Sequence, residues 1–223
     1  MKNILYLSYD GILEPLGYSQ ILSYLIILSK DFNITIFSIE KENDLQNKLH
    51  FYEVKNILLN NNIKWNYLIY KKNLGRYFLV LKFFYYISKY LKNNNVKVIH
   101  ARSYVCGLIT YFLKYFYKFN FLFDIRGFWI DERIDWGLWN KFSLKYFFFR
   151  FYEKKIFNSS DSIVTLTNDS KSIIKKKFLK KHTNSEIYTI PTSVKIINNS
   201  KNLKNKKTLT FTHLGSIGNR YNF

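Results

Sequence analysis

A single cysteine, two prolines and eight glycines stand in a chain of 223 residues, and each scarcity excludes something. Cys106, being alone, cannot close an intrachain disulfide; it fits a reducing cytoplasm and reads as a small buried hydrophobe rather than a reactive thiol. So little Gly and Pro, beside 48% hydrophobic and 20% aromatic residues, excludes a low-complexity or disordered chain. No uncharged run approaches the roughly 18 residues of a spanning helix. The start, Met1-Lys2-Asn3, passes straight into Ile4-Leu5-Tyr6-Leu7-Ser8, too short for a signal-peptide core. These features place the protein in the cytoplasm or on a membrane face. Acid is scarce as well: 15 Asp and Glu face 35 Lys and Arg, a net charge of +20. The excess is mostly lysine and travels with Asn, Ile, Phe and Tyr, the residue set of an AT-rich genome. Nucleic-acid binders instead cluster arginine with exposed aromatics. With six arginines in the chain, no nucleic-acid partner is expected; an anionic membrane surface is the better match.

Chemical signatures are missing too. HExxH, CxxC pairs and histidine clusters do not occur, so no metal is expected. Neither a GxSxG elbow nor a Cys/His nucleophile arrangement appears, and no Asp-x-Asp motif offers a metal–diphosphate clamp.

What is present is alternation. Strand-like apolar runs at 4–9, 34–39, 65–70, 96–100, 121–125, 162–167 and 187–190 are separated by helix-period segments at 19–30, 44–59, 76–92, 104–116, 138–157 and 169–178. Nearly continuous apolar strands with helical crossovers predict an α/β fold, a doubly wound Rossmann-like parallel sheet covered on both faces. Helices 76–92 and 141–157 are rich in aromatics with lysine borders. They cover the sheet in the first instance, and would also suit an in-plane membrane contact. After Pro191 the composition changes. Residues 198–207 read as a polar linker, and 208–213 as a new strand that ends in Gly215-Ser216-Ile217-Gly218. The expectation is one domain over 1–197, the linker, and at 208–223 the opening of a second α/β domain that the sequence does not contain.

In open α/β sheets ligands bind beyond the carboxyl ends of the strands, and three loops at that edge stand out. The first, 9–20, places Gly17 at a helix entrance, where free N–H groups and the helix dipole could meet a diphosphate. It contains neither GxGxxG nor a P-loop, and taken alone it reads first as an ordinary Gly- and Pro-containing turn with no ligand role. The second, His100-Ala101-Arg102-Ser103-Tyr104, offers Arg102, whose guanidinium suits phosphate or carboxylate. The third, 124–139, packs two arginines, four acids, two glycines and three tryptophans into sixteen residues. Such a loop on a rigid scaffold points to recognition, its tryptophans able to stack on sugar rings, the alternative being a salt-bridged loop packed by those tryptophans.

At these loops the sequence resembles the family 4 glycosyltransferases, retaining enzymes of GT-B fold. Ser8-Tyr9-Asp10-Gly11 with Pro15-Leu16-Gly17-Tyr18-Ser19-Gln20 looks like the family's first glycine loop. Asp124-Ile125-Arg126-Gly127-Phe128-Trp129 with Asp131-Glu132-Arg133 resembles a signature of one bacterial branch. Asp161-Ser162-Ile163-Val164-Thr165-Leu166-Thr167 and Ile190-Pro191-Thr192-Ser193-Val194 resemble the segments that close the N-terminal domain, and Gly215-Ser216-Ile217-Gly218 with Tyr221 the loop that opens the C-terminal one. The resemblance implies an N-terminal, acceptor-side domain. Sugar would pass from a nucleotide-sugar donor to a glycan or lipid-linked acceptor in bacterial surface polysaccharide synthesis. Gly17 and Gly215 would border the donor, and Arg102, Ser103, Arg126, Asp131, Glu132 and Arg133 the acceptor side. Arg126 is the candidate catalytic residue; many members carry histidine there, so a histidine role is not carried over. Lys195 also replaces the acid that often follows Val194. The donor-holding basic pair and glutamates belong to the domain not present, so this chain alone is expected to be inactive. A non-catalytic module that binds an acceptor or a membrane is the competing expectation.

Overall fold

The computed structural model describes residues 1–71, 75–181 and 183–193. Seven strands, β1 (Lys2–Ser8), β2 (Phe32–Lys41), β3 (Lys64–Tyr70), β4 (Val98–Arg102), β5 (Asn120–Asp124), β6 (Ser162–Thr165) and β7 (Glu186–Thr189), form one sheet in the order β3-β2-β1-β4-β5-β6-β7. All six neighbouring pairs are parallel, so the expected doubly wound sheet is the observed one. Parallel pairing requires crossovers. These are α1 (Pro15–Gly17), a π-helical turn Tyr18–Leu22 and α2 (Ser23–Leu28); α3 (Glu42–Gln46) and α4 (Lys48–Asn60); α5 (Arg76–Asn93); α6 (Ser103–Leu113); α7 (Trp129–Asp135) and α8 (Leu144–Ser159); and α9 (Asn168–Lys177).

Side-chain alternation explains why the central strands read as unbroken apolar runs. From β1, Leu5 and Leu7 enter one core cluster with Phe83, Ile109 and Ile156, while Tyr6 enters the other with Leu25, Val54 and Leu58. From β2, Phe37 and Ile39 take the first side and Ile34 and Ile36 the second. Helices α5, α6, α8 and α9 therefore cover one face, and α1, α2 and α4 the other. Cys106 of α6 is buried, as expected, and burial pushes its thiol pKa up.

Three differences from the sequence reading go beyond shifted element ends. Helix 44–59 is split at Asn47, whose side chain accepts from the His50 N–H at 3.2 Å and starts α4 afresh. The helix expected from 138 begins at Leu144, where Ser143 caps it by accepting from the Tyr146 N–H. The loop 124–139 instead holds its own helix, α7. Finally, no loop separates strand four from its helix: β4 runs through Arg102 and α6 starts at Ser103. The reversal is made at Ser103 itself, with φ +68°, a conformation that costs a non-glycine residue roughly 1–3 kcal/mol. The expected linker 198–207, the segment 208–223 and Gly215 lie outside the described residues.

Candidate functional site

Strands β1 and β4 are neighbours whose crossovers leave to opposite sides, so their carboxyl ends form the topological switch point at which open α/β sheets bind ligands. Register determines what lines it. Tyr6 pairs with His100, and His100 with Leu122; one step on, Ser8 pairs with Arg102, and Arg102 with Asp124. Because side chains alternate, Tyr6, Ser8, His100, Arg102 and Asp124 all point to the α1–α2 side, leaving Ile99, Ala101, Phe121 and Phe123 for the other core. Tyr6 and Ser8 of β1, His100 and Arg102 of β4 and Asp124 of β5 thus form a polar row beneath the helical segment 15–28. Tyr24 and Gln20 cover it from above: the Tyr24 ring lies 6.2 Å from the His100 ring and 6.0 Å from that of Tyr6.

Asp124 is the electrostatic centre. His100 Nε2 is 3.6 Å and Arg102 Nη1 3.7 Å from its Oδ2, and Arg126 Nη1 is 3.5 Å from its Oδ1. Burial alone would raise the Asp124 pKa. The His100 imidazole outweighs it together with the charges of Arg126 and Arg102, and holds the carboxyl below its usual value. Both guanidinium groups also donate to Gln20 Oε1, Arg102 Nη2 at 3.0 Å and Arg126 Nη2 at 3.2 Å. Arg126 Nη2 reaches further, to Thr192 Oγ1 at 2.9 Å, in the segment after β7. Hydrogen bonding in the cluster is incomplete, and the buried acceptor Asp124 Oδ1 itself has no hydrogen-bond partner among the described residues. Among the described residues, the buried Arg102 Nε and Nη1 and His100 Nε2 have no hydrogen-bond partner. Two arginines sharing one carboxylate with donors to spare is an arrangement suited to an anionic or hydroxyl-rich ligand.

The loop entering α1 is fixed from below by Glu40, the penultimate residue of β2. Its buried carboxylate accepts from the Ile12 N–H at 2.9 Å, the Leu13 N–H at 3.1 Å and the Ser38 hydroxyl. Burial nevertheless pushes the Glu40 pKa up. Gly17 packs onto this loop: a Cβ there would lie 2.0 Å from the Gly11 carbonyl oxygen and 2.8 Å from Ile12 Cα. The close approach it permits in this chain is between backbone and backbone.

The tryptophan-rich segment is organised differently. Asp131 is paired with Arg150 of α8, and Arg150 Nη1 donates to Glu153 at 2.6 Å. Glu153, itself buried, accepts from the Tyr104 hydroxyl at 2.8 Å. Arg133 lies over the rings of Trp129 and Trp136, at 5.4 and 5.6 Å. Glu132 folds over Gly127, where a Cβ would meet its Oε1 at 2.3 Å. Of the sequence-predicted residues, Arg102 and Arg126 are brought together through Asp124 and Gln20, with Ser103 at the strand end beside them. Asp131 and Arg133 are engaged within 129–153 instead. Sequence reasoning left out Asp124, Gln20, Tyr24 and Glu40 as site residues. The polar positions two apart, 6 and 8 in β1 and 100 and 102 in β4, were the available signal. An open groove of about 840 Å³ lies at the opposite, amino-terminal edge, lined by Asn3, Asn33, Asn62 and Trp65; it contains none of the predicted site residues. Among the described residues no group of three or more His, Cys, Asp or Glu could hold a metal ion, and no helix is long and apolar enough to cross a membrane.

No family model and no curated protein matches the chain. Solved structures do. Sucrose-phosphate synthase (tll1590) from Thermosynechococcus elongatus superposes with a TM-score of 0.57 at 12% identity, over 86% of this chain and 48% of that one. TcCGT1 in complex with UDP gives 0.57 at 9% identity, over 89% and 54%. A protein described as a UDP-N-acetylglucosamine 2-epimerase from Listeria monocytogenes gives 0.51 at 12% identity, over 84% and 44%. The chain thus has the fold of a GT-B glycosyltransferase domain and spans about half the length of the structures it matches. A protein described as an epimerase shares the fold, so the fold alone does not determine the reaction.

Proposed function

We propose that the chain is the N-terminal, acceptor-side half of a retaining, family 4-like glycosyltransferase. It moves a hexosyl group from a nucleotide sugar to a glycan or lipid-linked acceptor in bacterial surface polysaccharide synthesis, on the cytoplasmic side of the membrane. The observation that carries the reading is the Asp124 cluster at the switch point, with Arg126 bonded both to Gln20 and to Thr192. Arg126 stands between the glycine loop and the segment that would lead to a donor domain. There it would place a cation beside the departing diphosphate, aided by backbone amides near Gly17, so that charge is stabilised without a metal. Gly215 would border the donor from the second domain. Arg102 and Ser103, with Arg126 bonded to the same Gln20 carbonyl as Arg102, would contact acceptor hydroxyls or an acceptor phosphate. Asp131, Glu132 and Arg133, held by Arg150, Gly127 and the tryptophans, would shape the acceptor wall. The UDP bound to TcCGT1 supports a nucleotide-sugar donor.

The test combines binding, turnover and gene sequence. The purified chain is expected to bind oligosaccharide acceptors weakly in saturation-transfer NMR. Arg126→Ala should weaken that binding about tenfold or more, the scale of a lost charged hydrogen bond, and no sugar should move from labelled UDP- or GDP-sugars. Transfer by this chain alone would overturn the half-enzyme reading. An absence of glycan binding would overturn the acceptor-side assignment. Acceptor binding with no donor-domain coding sequence downstream of Phe223 would support the non-catalytic module in its place.

A further inference from the structure

Helices that only cover a sheet need one apolar stripe; α5 and α8 carry two. In α5 the inward stripe is Leu79, Phe83, Ile87 and Leu91, all buried. A second stripe, Tyr77, Phe78, Leu81 and Tyr85, faces outward, each residue more than half exposed. In α8, Ile156 and Phe157 enter the core while Leu144, Phe147, Phe148 and Phe151 lie outward at 88%, 56%, 55% and 55% exposure. Their spacing of i, i+3, i+4, i+7 is that of a helix contact face.

These outward faces belong to one surface. Helix α6 lies between α5 and α8, and all three pack into the same core cluster. The Tyr117 hydroxyl just beyond α6 is 2.8 Å from Ser88 Oγ of α5, and Tyr152 of α8 contacts Phe112 of α6 with ring centroids 5.6 Å apart. The charges on this surface have one sign. Helices α5 and α6 contain no Asp or Glu, and the sole acid of α8, Glu153, is buried against Arg150. Exposed Lys82, Lys89 and Lys92 border the α5 stripe, and Lys145, Lys154 and Lys155 the α8 stripe.

We infer that the outer face of α5, α6 and α8 docks on an anionic lipid bilayer. Aromatic and aliphatic side chains enter the acyl boundary while lysines on long stems stay at the headgroups. A second copy of the chain is a poor occupant, because two lysine-only faces repel. Nucleic acid is the other polyanion. However, the outward rings are accompanied by leucines that have no stacking partner in a base, and Arg150, the arginine of α8, is turned to Asp131 and Glu153. The inference rests on this surface alone and is independent of glycosyl transfer.

Sedimentation of the full chain with vesicles tests it without donor or acceptor sugar. Phosphatidylglycerol–phosphatidylethanolamine vesicles should pellet the protein, and pure phosphatidylcholine vesicles should not. The triple variant Lys145→Glu, Lys154→Glu, Lys155→Glu should bind at least a hundredfold more weakly, since each basic residue near an anionic surface contributes about 1 kcal/mol. The variant Phe147→Ser, Phe148→Ser, Phe151→Ser should lose most binding with its unfolding midpoint kept, because its side chains are already exposed. Protein remaining in the supernatant with anionic vesicles, or binding untouched by both variants, overturns the inference. So does a dimer that the phenylalanine variant dissolves, or tight retention on duplex DNA in place of vesicles.

Discussion

Two places in this molecule gather arginine around acid, and they solve the problem in opposite ways. In the Asp124 cluster, two arginines and a histidine share one carboxylate at 3.5–3.7 Å. Donors are left over, and the Asp124 pKa is pulled down. Around Arg150, one guanidinium serves two acids, Asp131 and the buried Glu153, at short range. There the Glu153 pKa is pushed up, because burial outweighs Arg150 and the Tyr104 hydroxyl. The first arrangement keeps cationic donors uncommitted at the sheet's carboxyl edge; the second uses up its cation to fasten α7 onto α8. The arginines of 124–153 thus divide: Arg126 joins His100 and Arg102 around Asp124, while Arg150 ties Asp131 to Glu153.

The largest expected effect follows from the burial of Arg102 and Asp124, at 5% and 3% exposure. Asp124→Asn leaves buried cations uncompensated and should cost on the order of 3–5 kcal/mol in urea unfolding. A loss under about 1 kcal/mol would mean that the cluster is solvated and would dissolve the contrast.

Next in size is a matched pair of arginine deletions. Arg150→Met strands Glu153 and should destabilise by about 2–4 kcal/mol, with acceptor binding changed little. Arg126→Ala removes a side chain that is 23% exposed and should cost about 1 kcal/mol or less, with its main effect on binding. Equal stability losses in the two variants would break the comparison.

The smallest effect is a difference in sign. A carboxyl whose pKa is lowered by folding adds stability above its unfolded pKa of about 3.9, and that stability is lost as pH falls through the folded value. Asp124→Asn should therefore flatten the acid limb of the stability–pH curve. Glu153 has the opposite shift. Its protonated form contributes below an unfolded pKa of about 4.3, and the contribution is lost as pH rises through the folded value. Glu153→Gln should remove that fall, so the variant gains on the parent protein between acidic and neutral pH. Unfolding curves over this range check both, and slopes of the same sign would show that one environment has been misassigned.

Much of this was legible in the chain. Apolar runs separated by helix-period segments are enough to specify a parallel doubly wound sheet, because strands buried on both faces leave no other way to hide them. The same logic pointed to the carboxyl edge and to Arg102 and Arg126 within it. Sequence could not say which arginines of 124–139 and its surroundings remain available, because that depends on partners distant in the chain. Gln20 is 106 residues from Arg126, and Arg150 is 19 from Asp131. Nor could it show that glycine at position 17 is required by the Gly11 carbonyl, a contact set by Glu40 holding the loop backbone 28 residues away from Ile12. Periodicity, a local property, determined the elements and their order. Charge pairing and backbone contact depend on where strands register and helices lie, and only the tertiary structure decided those.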